Sequence, residues 1–387
     1  MKEADSKNKV DFVKWFSEMN KNSGNIAGGK GANLAEIYNL KVAVPPGFVV
    51  TAQAYDYFIE IAGIKQKIRE LLSTINYEDT KQLDKITKNI RALIEDSEFP
   101  EEMKEEIIES YEQLDENPED FRSKPVSDIL NAAHEPTFVA VRSSAAAEDL
   151  AGASFAGQQD TFLNVKGKED LLHNIKMCFA SLFTSRATYY RNKKGFKHDQ
   201  VSLAVVVQKM IDSDKSGVIF SKDPSYNNEN VIIEAVWGLG EGIVSGKVTP
   251  DRYVVSKDFN ILEKTIADKK IALTRDSGGG KAIVKLREEK SKHQVLKDHE
   301  IEKLAEIAIK LEEHYGKPQD IEFAIEDDEI YIVQTRPITT MEKRHEEHEV
   351  RELKGEVLIT GLAASPGIGS GKLRIIEDLK DLDKIKQ

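Results

Sequence analysis

Residues 320–336 read DIEFAIEDDEIYIVQTR, two alternating runs on either side of an acidic turn, and few backbones satisfy that pattern. Successive side chains of a strand point to opposite faces, so period-two alternation belongs to strands. Ile321, Phe323 and Ile325 therefore share one face, while Asp320 and Glu322 share the other. The second run sets Gln334 and Arg336 on one side likewise, and the unit predicted is an antiparallel hairpin with one polar face. Register decides whether these polar residues meet. A turn of two or four residues sets Glu322 opposite Val333; a turn of three or five, or a bulge near residues 326–329, brings it level with Ile332 and Gln334. The expectation is the odd turn or that bulge, and the bland alternative is a surface hairpin with ordinary charges.

Two acids, an amide and an arginine facing one space suit a magnesium ion and a polyphosphate. Carboxylate and amide oxygens are hard ligands, and a guanidinium neutralises charge developing on a transferred phosphoryl group. A second cluster, VRSSAAAEDLAGASFAGQQDT, begins at Arg142 where an apolar strand runs into serines, alanines and the glycines Gly152 and Gly157. Backbone amides there can close on phosphate while the arginine adds charge; the alternative pairs Arg142 with Glu148 or Asp149. A third stretch, GNIAGGKG at 24–31, fits the P-loop spacing through Gly24, Gly29 and Lys30 but has Gly31 where a metal-binding hydroxyl belongs, and no apolar strand precedes it. It reads as a glycine-rich turn capping the helix ANLAEIYNL. Two look-alikes carry no chemistry: His345 and His348 in RHEEHE lack the H-E-x-x-H spacing, and SGGGK at 277–281 lacks a following Ser or Thr and reads as a loop.

A chain of 387 residues with 40% hydrophobic residues has room for two or three cored domains. A net charge of −12 without a long basic run argues against a general binder of nucleic acid or anionic membrane. No apolar stretch approaches a membrane span and the first residues are polar, which reads as a cytoplasmic protein. The single cysteine, Cys178, excludes internal disulfides and thiolate zinc sites, and its setting MCFASLF reads as a buried position on a helix.

The layout is α+β. Residues 61–117 are helical and charged, with an amphipathic pattern broken at Pro100. From Thr137 strands and glycines dominate, IEKLAEIAIKLEEHYG forms a helix closed by Gly316, and EKRHEEHEVRELKGE reads as a linker or solvated helix.

Taken in order, GGKGANLAEI, VPPGFVVT, VRSSAAAEDLAGASFAGQQDTFLNV, LFTSRATYYR, VVVQKM, WGLGEGIVSGKVTPD, DIEFAI with YIVQTRPITT, and ASPGIGSGK resemble the N-terminal part of the phosphoenolpyruvate synthase (pyruvate, water dikinase) family. Pyruvate, phosphate dikinase and rifampicin phosphotransferase share its nucleotide-binding domain. The resemblance implies an ATP-grasp fold with N-terminal and C-terminal subdomains over 1–125 and 126–340, a charged linker over 341–354, and over 355–387 the beginning of a swivelling phosphohistidine domain. It also implies ATP and Mg²⁺ as cofactors. Lys30 and Arg142 would hold the phosphates, Gly157 and Thr161 would line the phosphate loop, and Gln208 would sit at the adenine hinge. Glu322 and Gln334 would hold the metal, and Arg336 would stabilise the transferring group. On this reading Gly31 is no defect, because the metal ligands come from the distant hairpin.

In that family ATP phosphorylates a histidine, which carries phosphate to pyruvate on a barrel domain, dividing one difficult transfer into two easier ones. None of the eight histidines here has the family's T-S-H-A context, and no pyruvate barrel is present. The expected partners are therefore a phosphohistidine domain and a pyruvate-binding barrel, in the rest of a longer protein or in a separate subunit, and without them the chain binds MgATP but completes no turnover. A homodimer is implied by the resemblance alone. The rival readings are the nucleotide domain of a rifampicin phosphotransferase-like or pyruvate, phosphate dikinase enzyme, and a non-catalytic nucleotide sensor.

Overall fold

The computed structural model describes residues 10–115, 136–145, 160–198, 201–224, 228–276, 279–338 and 371. Antiparallel pairing organises it. One sheet has the strand order β1 (Val13–Trp15), β2 (Gly47–Val50), β5 (Leu203–Lys209), β3 (Phe138–Ala145), β4 (Thr161–Lys166). The other runs β13 (Glu329–Pro337), β12 (Gln319–Glu326), β6 (Lys215–Phe220), β7 (Val231–Trp237), β8 (Asp251–Val255), β9 (Ile261–Thr265). A separate hairpin pairs β10 (Ile271–Arg275) with β11 (Lys281–Lys285). The mixed α/β class with antiparallel content is thus the one the sequence pattern implies.

Helices end where their sequences provide caps. Thr51 opens α2 (Ala52–Ile61) by accepting the Ala54 N–H at 3.1 Å, and Asp79 opens α4 (Thr80–Glu95) by accepting those of Lys81 and Gln82. Pro100 divides α4 from α5 (Glu101–Asp115), as expected. The other long helices are α1 (Gly24–Asn39), α3 (Lys65–Ser73), α6 (Lys168–Ser181), α7 (Ser185–Lys193) and α8 (Asp298–Tyr315), the last closed by Gly316 at φ 63°. No helix among the described residues is long and apolar enough to cross a membrane.

Alternation in the first sheet divides the core into two layers. Phe48 and Val50, Val139 and Val141, and Val205 and Val207 bury against α2, α4, α5 and α6. Cys178 lies in this layer, fully buried, and burial pushes its thiol pKa up, so it behaves as the packing residue expected. Val49, Ala204 and Val206 point the opposite way, into a second layer with Ala27 and Leu34 of α1, the second sheet's Ile219, Ile233, Ile321 and Phe323, and Leu304 and Ala308 of α8. Each large apolar side chain so buried contributes about 1.5–3 kcal/mol. The second layer crosses between the sheets, so burial itself fixes how they face each other.

The strands on either side of residue 125 lie in one sheet, since β3, β4 and β5 continue β1 and β2. The chain changes sheets at residues 210–214, between β5 and β6.

Candidate functional site: a cleft between the two sheets

The hairpin β12–β13 reaches the expected side-chain arrangement by an unexpected backbone. Its turn has two residues, Asp327 and Asp328, both with positive φ (50° and 66°), which is the twist-matched geometry of a tight hairpin. Neither the odd turn nor a bulge near 326–329 forms. Aspartate tolerates the left-handed region better than most residues, and here both are supported: Lys297 pairs with Asp328 at 2.7 Å, and the Asp327 N–H donates to Asp214 at 3.3 Å. Regular pairing runs from Glu326↔Glu329 to Phe323↔Ile332, then shifts so that Glu322 faces Gln334. The extra residue is Val333, so the bulge lies midway along the strands rather than at the turn, and Val333 and Gln334 both border the cleft.

The Val333 carbonyl has a partner across the cleft. Arg142 Nη1 donates to it at 2.9 Å, joining the two sheets through one guanidinium. Arg142 Nε is buried with no acceptor among the described residues. Burial pushes the arginine's pKa down, and the Glu322 carboxylate opposes that shift, so the two groups sense each other electrostatically.

Around this pair lies a cleft of about 330 Å³, within the range of small-molecule sites. Arg142, Thr161 and Gln208 form part of its first-sheet wall, Glu322 and Gln334 part of the opposite wall, and Met210 and Ile211 of the connecting segment border it. Arg142 and Thr161 are direct cross-strand partners, which is why they share a face. Gln208 is almost wholly buried, and its amide nitrogen donates to the Pro45 carbonyl at 3.3 Å. That bond orients the amide and engages one of its two N–H donors.

Lys30 and Arg336 adjoin this wall without lining it. Lys30 Nζ donates to the carbonyl of Ser143, one residue along β3 from Arg142. Arg336, two residues beyond Gln334, is half-exposed and grips Asp320 through Nε at 2.8 Å and Nη2 at 2.7 Å. Asp320 is thus the ion-pair partner of Arg336. Gly157, the Glu148 and Asp149 alternatives for Arg142, the histidines of RHEEHE, the 341–354 linker and, apart from Gly371, residues 355–387 lie outside the described residues.

The glycine-rich stretch is also built differently from the expected turn. α1 begins at Gly24, breaks at Gly28 (φ 65°, ψ 176°) and resumes with Lys30 in the restarted turn. A Cβ at Gly28 would stand 2.2 Å from the Ser144 carbonyl oxygen, and Ser144 Oγ donates to Ala27 O while accepting the Gly31 N–H. The break presses the restarted helix against the end of β3, which brings Lys30 to Ser143.

Two cleft residues have no counterpart in the sequence reading. Glu241, in a single helical turn at Glu241–Val244, and Lys281, the last residue of the SGGGK look-alike, border the cleft and pair with each other at 2.9 Å. Glu241 sits inside the WGLGEGIVSGKV motif, so the motif itself was the available signal; Lys281 had none, because only the β10–β11 hairpin brings it here.

The donor set can be tested against the implied cofactors. Among the described residues no three acidic, histidine or cysteine side chains converge on a metal position. Glu322 and Gln334 supply two hard oxygen donors, which fits a Mg²⁺ that completes its shell with water and substrate phosphate. An arginine with an unused buried N–H beside them fits a polyanion.

The family model of the pyruvate phosphate dikinase AMP/ATP-binding domain matches residues 24–356. A probable phosphoenolpyruvate synthase of Methanocaldococcus jannaschii is 45% identical over 382 residues, covering 98% of this chain and 31% of that protein. Its counterpart in Archaeoglobus fulgidus is 48% identical, covering 97% and 48%, and the phosphoenolpyruvate synthase of Pyrococcus furiosus is 42% identical, covering 97% and 50%. The chain therefore spans from about a third to a half of the length of these relatives.

Proposed function

The chain belongs to the family of the pyruvate phosphate dikinase AMP/ATP-binding domain, and from that premise we propose that it binds MgATP in the inter-sheet cleft, as an ATP-grasp fold, and passes the β- and γ-phosphates together to a histidine on a swivelling domain, with AMP as the leaving group. The acceptor chemistry proposed for the whole protein is that of a phosphoenolpyruvate synthase: water removes the outer phosphate from the histidine as inorganic phosphate and the remaining phosphoryl group passes to pyruvate, so that ATP, pyruvate and water yield AMP, phosphoenolpyruvate and phosphate. A cytoplasmic location accords with this metabolic reading. The two sheets are read as the two ATP-grasp lobes. The observation that carries the proposal is the meeting of Arg142, Glu322 and Gln334 in one cleft, brought about by the Val333 bulge.

Roles follow from chemistry. Arg142 offers a fixed, multidentate cation to phosphate oxygens, and Lys30 offers a point charge beside it. Thr161 lines the cleft next to Arg142 and presents a hydroxyl. Glu322 and Gln334 would hold Mg²⁺, whose charge, when bound, neutralises phosphate oxygens. Gln208, anchored at Pro45, orients its amide oxygen at the buried end for a nucleobase amino group. Arg336, held beside the hairpin by Asp320, supplies charge for the transferring group.

The test is to incubate the chain with MgATP and pyruvate, with and without a separately expressed histidine-plus-barrel portion. AMP formed only in the complete mixture is the expected result. Tight MgATP binding with no AMP in either mixture overturns the pyruvate assignment in favour of another acceptor or a nucleotide sensor. Arg336→Ala separates those two: a donor module loses transfer to a supplied histidine domain, whereas a sensor loses at most some affinity.

A further inference from the structure

Glu241 and Lys281 border the cleft, and the MgATP reading uses neither. Lys281 Nζ donates to Glu241 Oε1 at 2.9 Å and lies equally far from Oε2, which is buried and accepts no hydrogen bond among the described residues. An ionised carboxylate can only accept, so an open oxygen on the wall of a cleft calls for a donor on the ligand. The β10–β11 hairpin that carries Lys281 is itself anchored, since the Leu239 N–H donates to the Leu273 carbonyl at 2.8 Å.

Backbone contacts fix which end of the cleft Glu241 serves. The Gly238 N–H, just past β7, donates to the Asp214 carbonyl of the connecting segment at 2.8 Å, and Ser216 Oγ near the start of β6 donates to the Gly238 carbonyl at 2.5 Å. Gly240 passes over Ser216, whose Oγ would stand 3.5 Å from a Cβ there, and the helical turn Glu241–Val244 follows. Glu322 lies elsewhere. It pairs with Val218, two residues and so about 7 Å further along β6, and it belongs to β12, which flanks β6 on the side away from β7. Glu241 thus stands at the end bordered by Gln208, Met210 and Ile211, away from the Glu322–Gln334 pair.

With the base at that end and the phosphates at Arg142, the ribose lies between them. The donors a ribose offers are its vicinal 2′- and 3′-hydroxyls, and the two oxygens of one carboxylate match such a pair. We propose that Glu241 is the ribose-recognising residue of the cleft, accepting from these hydroxyls, and that Lys281 is a positioning residue holding the carboxylate toward them. This rests on the MgATP-cleft reading. A pair that only ties the β10–β11 hairpin to the second sheet treats all nucleotides alike, whereas a ribose acceptor discriminates by sugar hydroxyls.

The experiment measures affinity for MgATP and for the magnesium complex of 2′,3′-dideoxy-ATP by calorimetry in the unaltered chain, Glu241→Ala, Glu241→Gln and Lys281→Met. Thermal unfolding confirms that each is folded, and Glu241→Gln keeps the shape and one acceptor oxygen should the alanine variant fold poorly. In the unaltered chain the dideoxy nucleotide should bind at least about tenfold more weakly than ATP, because a site built to bond a hydroxyl rejects the analogue lacking it. Glu241→Ala should bring the two affinities within about twofold by weakening MgATP binding, and Glu241→Gln and Lys281→Met should give intermediate ratios. Equal binding of the two nucleotides by the unaltered chain, or an undiminished ratio in both Glu241 variants, overturns the ribose role while leaving the cleft reading intact. An undiminished ratio in Lys281→Met overturns its positioning role. Failure of the unaltered chain to bind MgATP defeats the cleft reading and this inference together.

Discussion

Gly28→Ala is the sharpest test of how the lysine segment is built. Two costs add at this position. An alanine must adopt φ 65°, which costs about 1–2 kcal/mol for a residue with a Cβ. Its Cβ would also stand 2.2 Å from Ser144 O and 2.4 Å from Ser144 C and Oγ, and backbone cannot swing aside as a side-chain tip can. Shifting β3 at Ser144 breaks the hydrogen bond to Ala27 O (2.7 Å) and the one from Gly31 N (3.2 Å), each contributing about 0.5–1.5 kcal/mol. The expected destabilisation is about 2–5 kcal/mol, the sum of those ranges. Gly24→Ala is the internal control, since nothing lies within 4 Å of its Cβ and its φ is not positive; it should be neutral or gain up to about 1 kcal/mol. Urea denaturation followed by tryptophan fluorescence reads both, with Trp15 reporting on the first sheet and Trp237 on the second. Because Lys30 follows the break, Gly28→Ala should also weaken MgATP binding more than AMP binding. A Gly28→Ala protein as stable as Gly24→Ala would refute the argument that the break is forced by contact with Ser144.

Arg142→Lys keeps the charge but loses the fork that reaches Val333, so phosphoryl transfer to a supplied histidine domain should fall by about 10²-fold or more, measured by single-turnover labelling. Glu322→Gln should raise the Mg²⁺ concentration needed for half-maximal ATP binding by at least about tenfold in a titration, and leave metal-free AMP binding unchanged. Glu36 of α1 carries a pH signature. Burial alone would raise its pKa, but the Lys21 N–H and His314 outweigh that and hold it below the usual carboxylate value. A depressed folded pKa means that the contribution is present above the unfolded value of about 4.3 and is lost as pH falls through the folded one. Glu36→Gln should therefore flatten the acid limb of a stability–pH profile below about pH 4.3 and lower stability near neutrality; an unchanged acid limb would count against the link between α1 and α8.

Much of the local structure is legible from residue order because its causes are local. The Pro100 break, the Gly316 stop and the alternation of Ile321, Phe323 and Ile325 are backbone and packing rules acting over a few residues. The types of residue at the cleft, above all Arg142, Glu322 and Gln334, are legible too, because charge and donor chemistry belong to the side chains themselves. The turn was misjudged because the support that lets Asp327 and Asp328 adopt positive φ comes from Asp214 and Lys297, distant in sequence. Lys281 was set aside for the same reason: a glycine-flanked lysine has no recognisable partner until the β10–β11 hairpin carries it to Glu241.

What residue order determined by itself was therefore the set of elements and the chemical kinds of group they carry. What only tertiary structure decided was which of those groups meet. The Val333 bulge that gives Arg142 an acceptor, the pairing that holds Arg336 on Asp320, and the break that presses Lys30's helix onto Ser143 all join segments separated by 16 to 191 residues or lie where such segments touch. Such contacts are selected by the burial of a shared apolar layer across two sheets, a property of the whole packed chain that no short window of sequence contains.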